Sequence, residues 1–210
     1  MTGRTHLVIG AAAAIAVVQP QSPAAFGLCA AAGAVGGVLP DIDVNTSESH
    51  RQLVKLLAVL FLSAAALAIA EQVWQIGIAE RLARQTSLMR AIPGCLAFLA
   101  VCWFGMHQPH RSFMHSLLAL IILTALAWGI APGFALPFAA AMLSHIALDL
   151  LNRRRVRILY PLKRGFRLNL CDADGWANQW LFLAGCAILL LEIAVFAVLN
   201  IKTGLSFFLS

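Results

Sequence analysis

The stretch FALPFAAAMLSHIALDLLN, residues 134–152, is almost continuous hydrocarbon until a histidine, an aspartate and an asparagine appear four and then three residues apart. On a helix those spacings put His145, Asp149 and Asn152 on one face. Counting back from Arg153 at about 1.5 Å per residue, Asp149 lies roughly 6 Å and His145 roughly 12 Å inside the basic residues that follow. An ionisable side chain within a membrane helix costs at least about 2.5 kcal/mol on insertion scales, so it is rare unless paired, metal-bound or facing a wet cavity. A His145–Asp149 hydrogen bond that merely knits helices together meets that condition as well as a ligand set does. The other polar residues must decide between them.

The remainder of the chain places this stripe in a bilayer. Its 210 residues are 61% hydrophobic and only 11% charged, with a mean hydropathy of +0.85, which excludes an ordinary water-soluble domain. Apolar segments run over 7–18, 24–39, 53–70, 92–106, 113–131, 134–151 and 179–200. They predict an all-α, polytopic membrane protein of six to seven segments, a single domain over 1–210 with a polar site at one rim. The first two segments are short for a hydrocarbon core of about 30 Å and can form one hairpin broken at QPQSP. Arg4, Thr5 and His6 are read as the polar mouth of a retained first helix rather than the start of a secretory leader. Five cysteines without close pairing imply neither a disulfide framework nor a zinc ribbon.

The net charge of +6 is a topology signal and does not point to nucleic acid. With alternating segments, Arg4, Arg51, Lys55, Arg111, Arg153, Arg154, Arg155, Arg157, Lys163, Arg164 and Arg167 fall on one side. Arg81, Arg84, Arg90 and Lys202 fall on the other. Eleven against four puts the first side, with the N-terminus, in the cytoplasm of a bacterial inner membrane.

The same alternation gathers four polar stations at that rim: His6, LPDID (39–43), HQPHRSFMHS (107–116), and the His145–Asp149 stripe. Just after Pro40, an extended segment would point Asp41 and Asp43 the same way, towards one cation. Pro109 in the first turn of a helix would leave His110 and Arg111 at its positive end and His115 one turn further in, sharing a face with Arg111. Such an end, with an arginine, is ready for a phosphate-like anion. His110 and His115 reach one centre only if His110 precedes the regular turn. His107 has no such placement and reads as interfacial. The metal ligands expected are His6, Asp43, His115, His145 and Asp149, with Asp41 as ligand or general base and His110 and Arg111 as catalytic partners. This mixed set suits one or two zinc, manganese or iron ions better than calcium. A bound cation would acidify its water for hydrolysis at neutral pH.

Taken in order, TH, LPDID, HRSFMHS and SHIALDLLN, followed by ILYPL, resemble the YdjM-type family of LexA-regulated, membrane-bound metal-dependent hydrolases, over most of residues 1–165. The resemblance implies a multi-helix inner-membrane protein with His6, Asp41, Asp43, His110, Arg111, His115, His145 and Asp149 at the family's polar positions. It lends a reaction class and no substrate. The additional His107 departs from the pattern, and residues 72–91 carry nothing recognisable.

Three further features complete the reading. The Gly-xxx-Gly spacing of Gly33 and Gly37 is read as close helix packing. RRRVRILYPLKRGFRL opens a basic interfacial hairpin over 153–178 that anchors topology and attracts anionic headgroups, so membrane lipids are expected partners. Asp172 and Asp174 sit in a loop too short for an EF-hand and are read as a turn and cap before the last helix, with Trp176 and Trp180 in the aromatic belt. The function expected is hydrolysis of a phosphate ester or similar ester at the inner rim, a lipid headgroup among the candidates. The alternatives are a metal-ion or proton transporter, which would need a site nearer the midplane, and a scaffold with a structural metal.

Overall fold

The computed structural model describes the backbone of residues 1–43 and 88–209, with side chains for 1–43, 91 and 93–200. The expected segment 53–70, and the basic residues Arg51, Lys55, Arg81 and Arg84, lie outside the described residues. The described chain is all α, with six helices: α1 (Gly3–Val18), α2 (Pro23–Val38), α3 (Leu88–Met106), α4 (Leu117–Ile130), α5 (Pro132–Leu150) and α6 (Trp176–Leu209). Three stretches are long and apolar enough to cross a membrane: Pro23–Asp43, Pro132–Leu150 and Trp176–Asn200. The apolar helices Gly3–Val18, Pro93–Met106 and Leu117–Ile130 are shorter.

α1, α2 and α5 pack mutually as a central trio; α4 leans on α5, α3 on α4, and α6 on α1. The core holds Phe138, Met142, Met114 and Leu123, all fully buried. Outward faces are apolar too: Leu96, Trp103, Ile121 and Leu190 are each more than 60% exposed. Grease on both the inside and the outside is the pattern of helices solvated by lipid.

The trio is close because α2 presents glycine to both neighbours. A β-carbon on Gly10 would lie 2.8 Å from the Gly33 carbonyl oxygen, one on Gly36 would lie 2.5 Å from the Phe138 oxygen, and one on Gly37 would collide with the carbonyl of His6. Backbones therefore touch where side chains would otherwise hold them apart. Gly37→Ala is expected to destabilise the protein by about 1–3 kcal/mol through overpacking and to push His6 outward. Thermal unfolding in detergent should record this as a lower Tm.

Two local expectations are corrected. The PDID segment is a 3-10 turn, Leu39–Asp43, rather than extended. With about three residues per turn, positions two apart diverge, and Asp41 and Asp43 meet different nitrogens of His115, Nε2 and Nδ1. The helix expected to begin at Pro109 begins at Leu117 instead, after a short 3-10 turn over Phe113–His115. The Ser112 hydroxyl donates to the Pro109 carbonyl, Arg111 takes a left-handed φ of 61°, and the Ser116 hydroxyl caps α4 by accepting from the Ala119 amide at 3.1 Å. Hydroxyls that bond their own backbone favour turns and caps over a continuing helix. Arg111 and His115 therefore share no helix face, and α4 begins six residues after Arg111.

Candidate metal centre

α5 delivers His145 and Asp149 side by side to the interface with α1 and α2, both essentially without exposure. The His145 Nδ1–H donates to the Gly37 carbonyl at 2.7 Å. A carbonyl can only accept, so this bond fixes the tautomer and leaves Nε2 with a free lone pair in the neutral ring. Metal-binding histidines are held in this way by a backbone carbonyl on the far nitrogen.

His145 Nε2 lies 3.2 Å from His115 Nε2 and 3.6 Å from Asp41 Oδ1. His115 Nε2 lies 3.4 Å from both Asp41 Oδ1 and Asp149 Oδ2. Asp41, His115, His145 and Asp149 are all buried, each with one ligand-type atom within 4.8 Å of the others'. Bonds of about 2.0–2.1 Å to a tetrahedral ion would set neighbouring ligand atoms roughly 3.3 Å apart, close to the shorter separations here.

A second group shares His115. Asp43 Oδ1 accepts from His110 Nδ1 at 2.8 Å, and Asp43 Oδ2 lies 3.8 Å from His115 Nδ1. Asp43, His110 and His115 also converge closely enough to hold an ion. His110 precedes the regular turn, as its convergence with His115 required, and its side chain is 32% exposed.

Asp149 is the electrostatic hub. Arg111 reaches it with Nε at 3.1 Å and Nη2 at 3.2 Å, Asn152 Nδ2 donates to it at 3.2 Å, and the Met1 amino group lies 3.3 Å away. The three hydrogen bonds, from Arg111 Nη2, Asn152 Nδ2 and the Met1 amino group, all go to Oδ1, whereas Oδ2 accepts none and remains open to a ligated ion. Arg111 is held in turn: its Nη1 donates to the Arg154 carbonyl at 3.2 Å, and its own carbonyl accepts from the Arg157 amide at 2.9 Å. His6 stacks on His145 with ring centroids 3.8 Å apart and brings Nε2 to 3.5 Å from Asp149 Oδ1. It lies against the four-residue group rather than within it.

Buried polar atoms without a hydrogen bond gather here, among them both His6 nitrogens, Asp43 Oδ2, His115 Nδ1 and Asp149 Oδ2. Each such atom ordinarily costs about 1–3 kcal/mol. A divalent cation among nitrogen and carboxylate donors would relieve Asp149 Oδ2 directly, so the residues present fit such an ion. His107 stands apart, with its Nδ1 2.7 Å from the Trp103 carbonyl oxygen.

Some determinants escaped sequence reasoning. The Gly37 carbonyl carries no side-chain signal. Asn178, whose Oδ1 accepts from Thr5 at 2.9 Å and from the Thr2 amide at 3.0 Å, fastens α6 to α1 below His6; its place two residues after the aromatic start of α6 was the available hint. A cavity of about 540 Å³, lined by Asp41, His110, Arg111, Asp149, Arg153 and Arg154 among others, adjoins the centre.

Apolar helices around a buried His/Asp group of metal-binding geometry define a helical membrane protein with a candidate metal centre. More particularly, the chain belongs to the YdjM inner membrane protein family, whose model matches residues 1–207. The match extends past the 165 residues over which the motifs were legible. Comparisons with curated proteins and with solved structures find no match.

Proposed function

We propose that the chain is a metal-dependent hydrolase of the inner membrane, built from six or seven membrane segments, that cleaves a phosphate ester or similar ester at the cytoplasmic rim. The observation that carries this reading is the buried convergence of Asp41, His115, His145 and Asp149 beside a cavity large enough for a headgroup-sized ligand. Those four residues are the proposed ligands of a zinc or manganese ion, with His6 and Asp43 supporting them. When bound, the ion would polarise the ester and acidify an attacking water.

The protein's own groups supply the rest. His110, in the cavity wall, is held through Nδ1 by Asp43, which leaves Nε2 to take or give a proton. Arg111 pairs with Asp149 and borders the same cavity, so an anionic group entering there meets a guanidinium. The transporter reading is weaker because transport sites usually sit at the midplane with access from both sides, whereas this group lies at the loop ends of α2 and α5.

The test is hydrolysis of a panel of phosphomono- and phosphodiesters by detergent-purified, metal-loaded protein. Activity is expected to vanish with a chelator. It should fall on the order of 100-fold or more in His110→Ala, the size of a general acid–base contribution, with the ion held by Asp41, His115, His145 and Asp149 retained. Stoichiometric metal without hydrolysis of any ester would sink the proposal in favour of a structural metal.

A further inference from the structure

Residues 153–170 form a surface suited neither to water nor to hydrocarbon. The backbone is pinned into a turn by Val156 and Phe166, which exchange two hydrogen bonds at 2.8 Å. Arg153, Arg154, Arg155, Lys163, Arg164 and Arg167 are exposed on it. Arg153 is matched by Asp172 at 2.9 Å, whereas no ion pair among the described residues engages Arg154, Arg155, Lys163 or Arg164. Between these cations Leu162, Leu168 and Leu170 are 60%, 59% and 72% exposed, followed by Trp176 at 75%.

Leaving large apolar side chains in water forfeits about 1.5–3 kcal/mol each. A patch of them interleaved with cations marks a membrane interface. The exposed tryptophans Trp176 and Trp180 at the adjoining start of α6, and Trp103 near the end of α3, set the headgroup level at this same end of the bundle. Arg153 and Arg154 then leave the patch to line the cavity of the candidate centre, and the Arg154 carbonyl and Arg157 amide grip Arg111.

We propose that this segment is a docking collar for anionic phospholipid, seating the phosphate among Arg154, Arg155, Lys163 and Arg164 at the mouth of the cavity and the acyl chains against its leucines. The collar stands on charge complementarity and exposed apolar area; the lipid's role as substrate rests on the hydrolase reading above. A soluble phosphate would use the cations alone and leave the interleaved leucines without a partner.

The test is electron spin resonance of the full chain in phosphatidylcholine vesicles carrying a trace of spin-labelled lipid, with metal per chain counted in the same samples. Spin-labelled phosphatidylglycerol should associate roughly five-fold more strongly than spin-labelled phosphatidylcholine at low salt, in keeping with attraction by several surface cations. The preference should collapse towards one in the triple variant Arg155→Gln, Lys163→Gln, Arg164→Gln, whose metal content stays at the wild-type level. Equal association of the two lipids, or a preference that survives the triple substitution, overturns the collar. Full displacement by soluble glycerol phosphate reassigns the cations to a soluble anion and overturns it too. A wild type that keeps the preference yet holds no metal after loading at neutral pH refutes the hydrolase reading alone.

Discussion

Replacing His145 with alanine is expected to strip the protein of its metal, lowering affinity by more than the 10- to 100-fold typical of losing a mere supporting partner. The reason is geometric. His145 Nε2 stands within 3.2 Å of His115 Nε2 and 3.6 Å of Asp41 Oδ1, and its other nitrogen is bound to Gly37, so the ring is held with Nε2 aimed into the group. Elemental analysis after metal loading at neutral pH should find a stoichiometric transition metal in the wild type and a small fraction of it in His145→Ala. An equal and negligible content in both would mean that the cluster is a hydrogen-bonded network, and the hydrolase reading would lose its chemical basis.

Arg111→Ala should have the second large effect, and it should depend on metal. The guanidinium meets both oxygens of Asp149 with both partners buried. Removing one member of such a pair costs about 3–5 kcal/mol where nothing else compensates the buried charge, and less here, because the Met1 amino group also pairs with Asp149 at 3.3 Å. In the metal-free protein that loss should appear in full as a lower Tm in detergent. Metal loading should restore much of it, because a cation at Asp149 Oδ2 supplies compensating charge. Arg111→Lys should rescue poorly, since an ammonium cannot reproduce the two-point fork. A lysine variant as stable as wild type, or a deficit indifferent to metal, would show that Arg111 serves the loop rather than Asp149.

The helices were legible because they are periodic and compositional, and so was the gathering of His and Asp residues at one end of the bundle. His145 and Asp149 announce themselves by a four-residue step in an apolar run, and segment alternation is enough to bring His6, Asp41 and His115 to the same end as that pair. The local geometry of the connecting segments was not legible. Asp41 and Asp43 look equivalent two residues apart, yet a 3-10 turn sends Asp41 to the four-residue group and Asp43 to His110. The start of α4 was misread because Pro109 is a good first-turn residue, whereas the hydroxyls of Ser112 and Ser116 fix turns that only the three-dimensional arrangement discloses. Arg111 was legible as a cation at the site. Its commitment to Asp149 was not, because that contact spans 38 residues of sequence and depends on the left-handed turn.

The bond from His145 to the main chain at residue 37 has a genetic corollary. A peptide oxygen belongs to no codon, so no amino-acid replacement deletes it, and a mutational scan would score this position for bulk alone. What selection can reach is the azimuth of α2: a single-residue insertion upstream would rotate it by about 100° and swing the oxygen away while every ligand codon stayed intact. Spacing within the glycine-rich helix is thereby heritable information about the metal centre, separate from the identities of the ligands themselves.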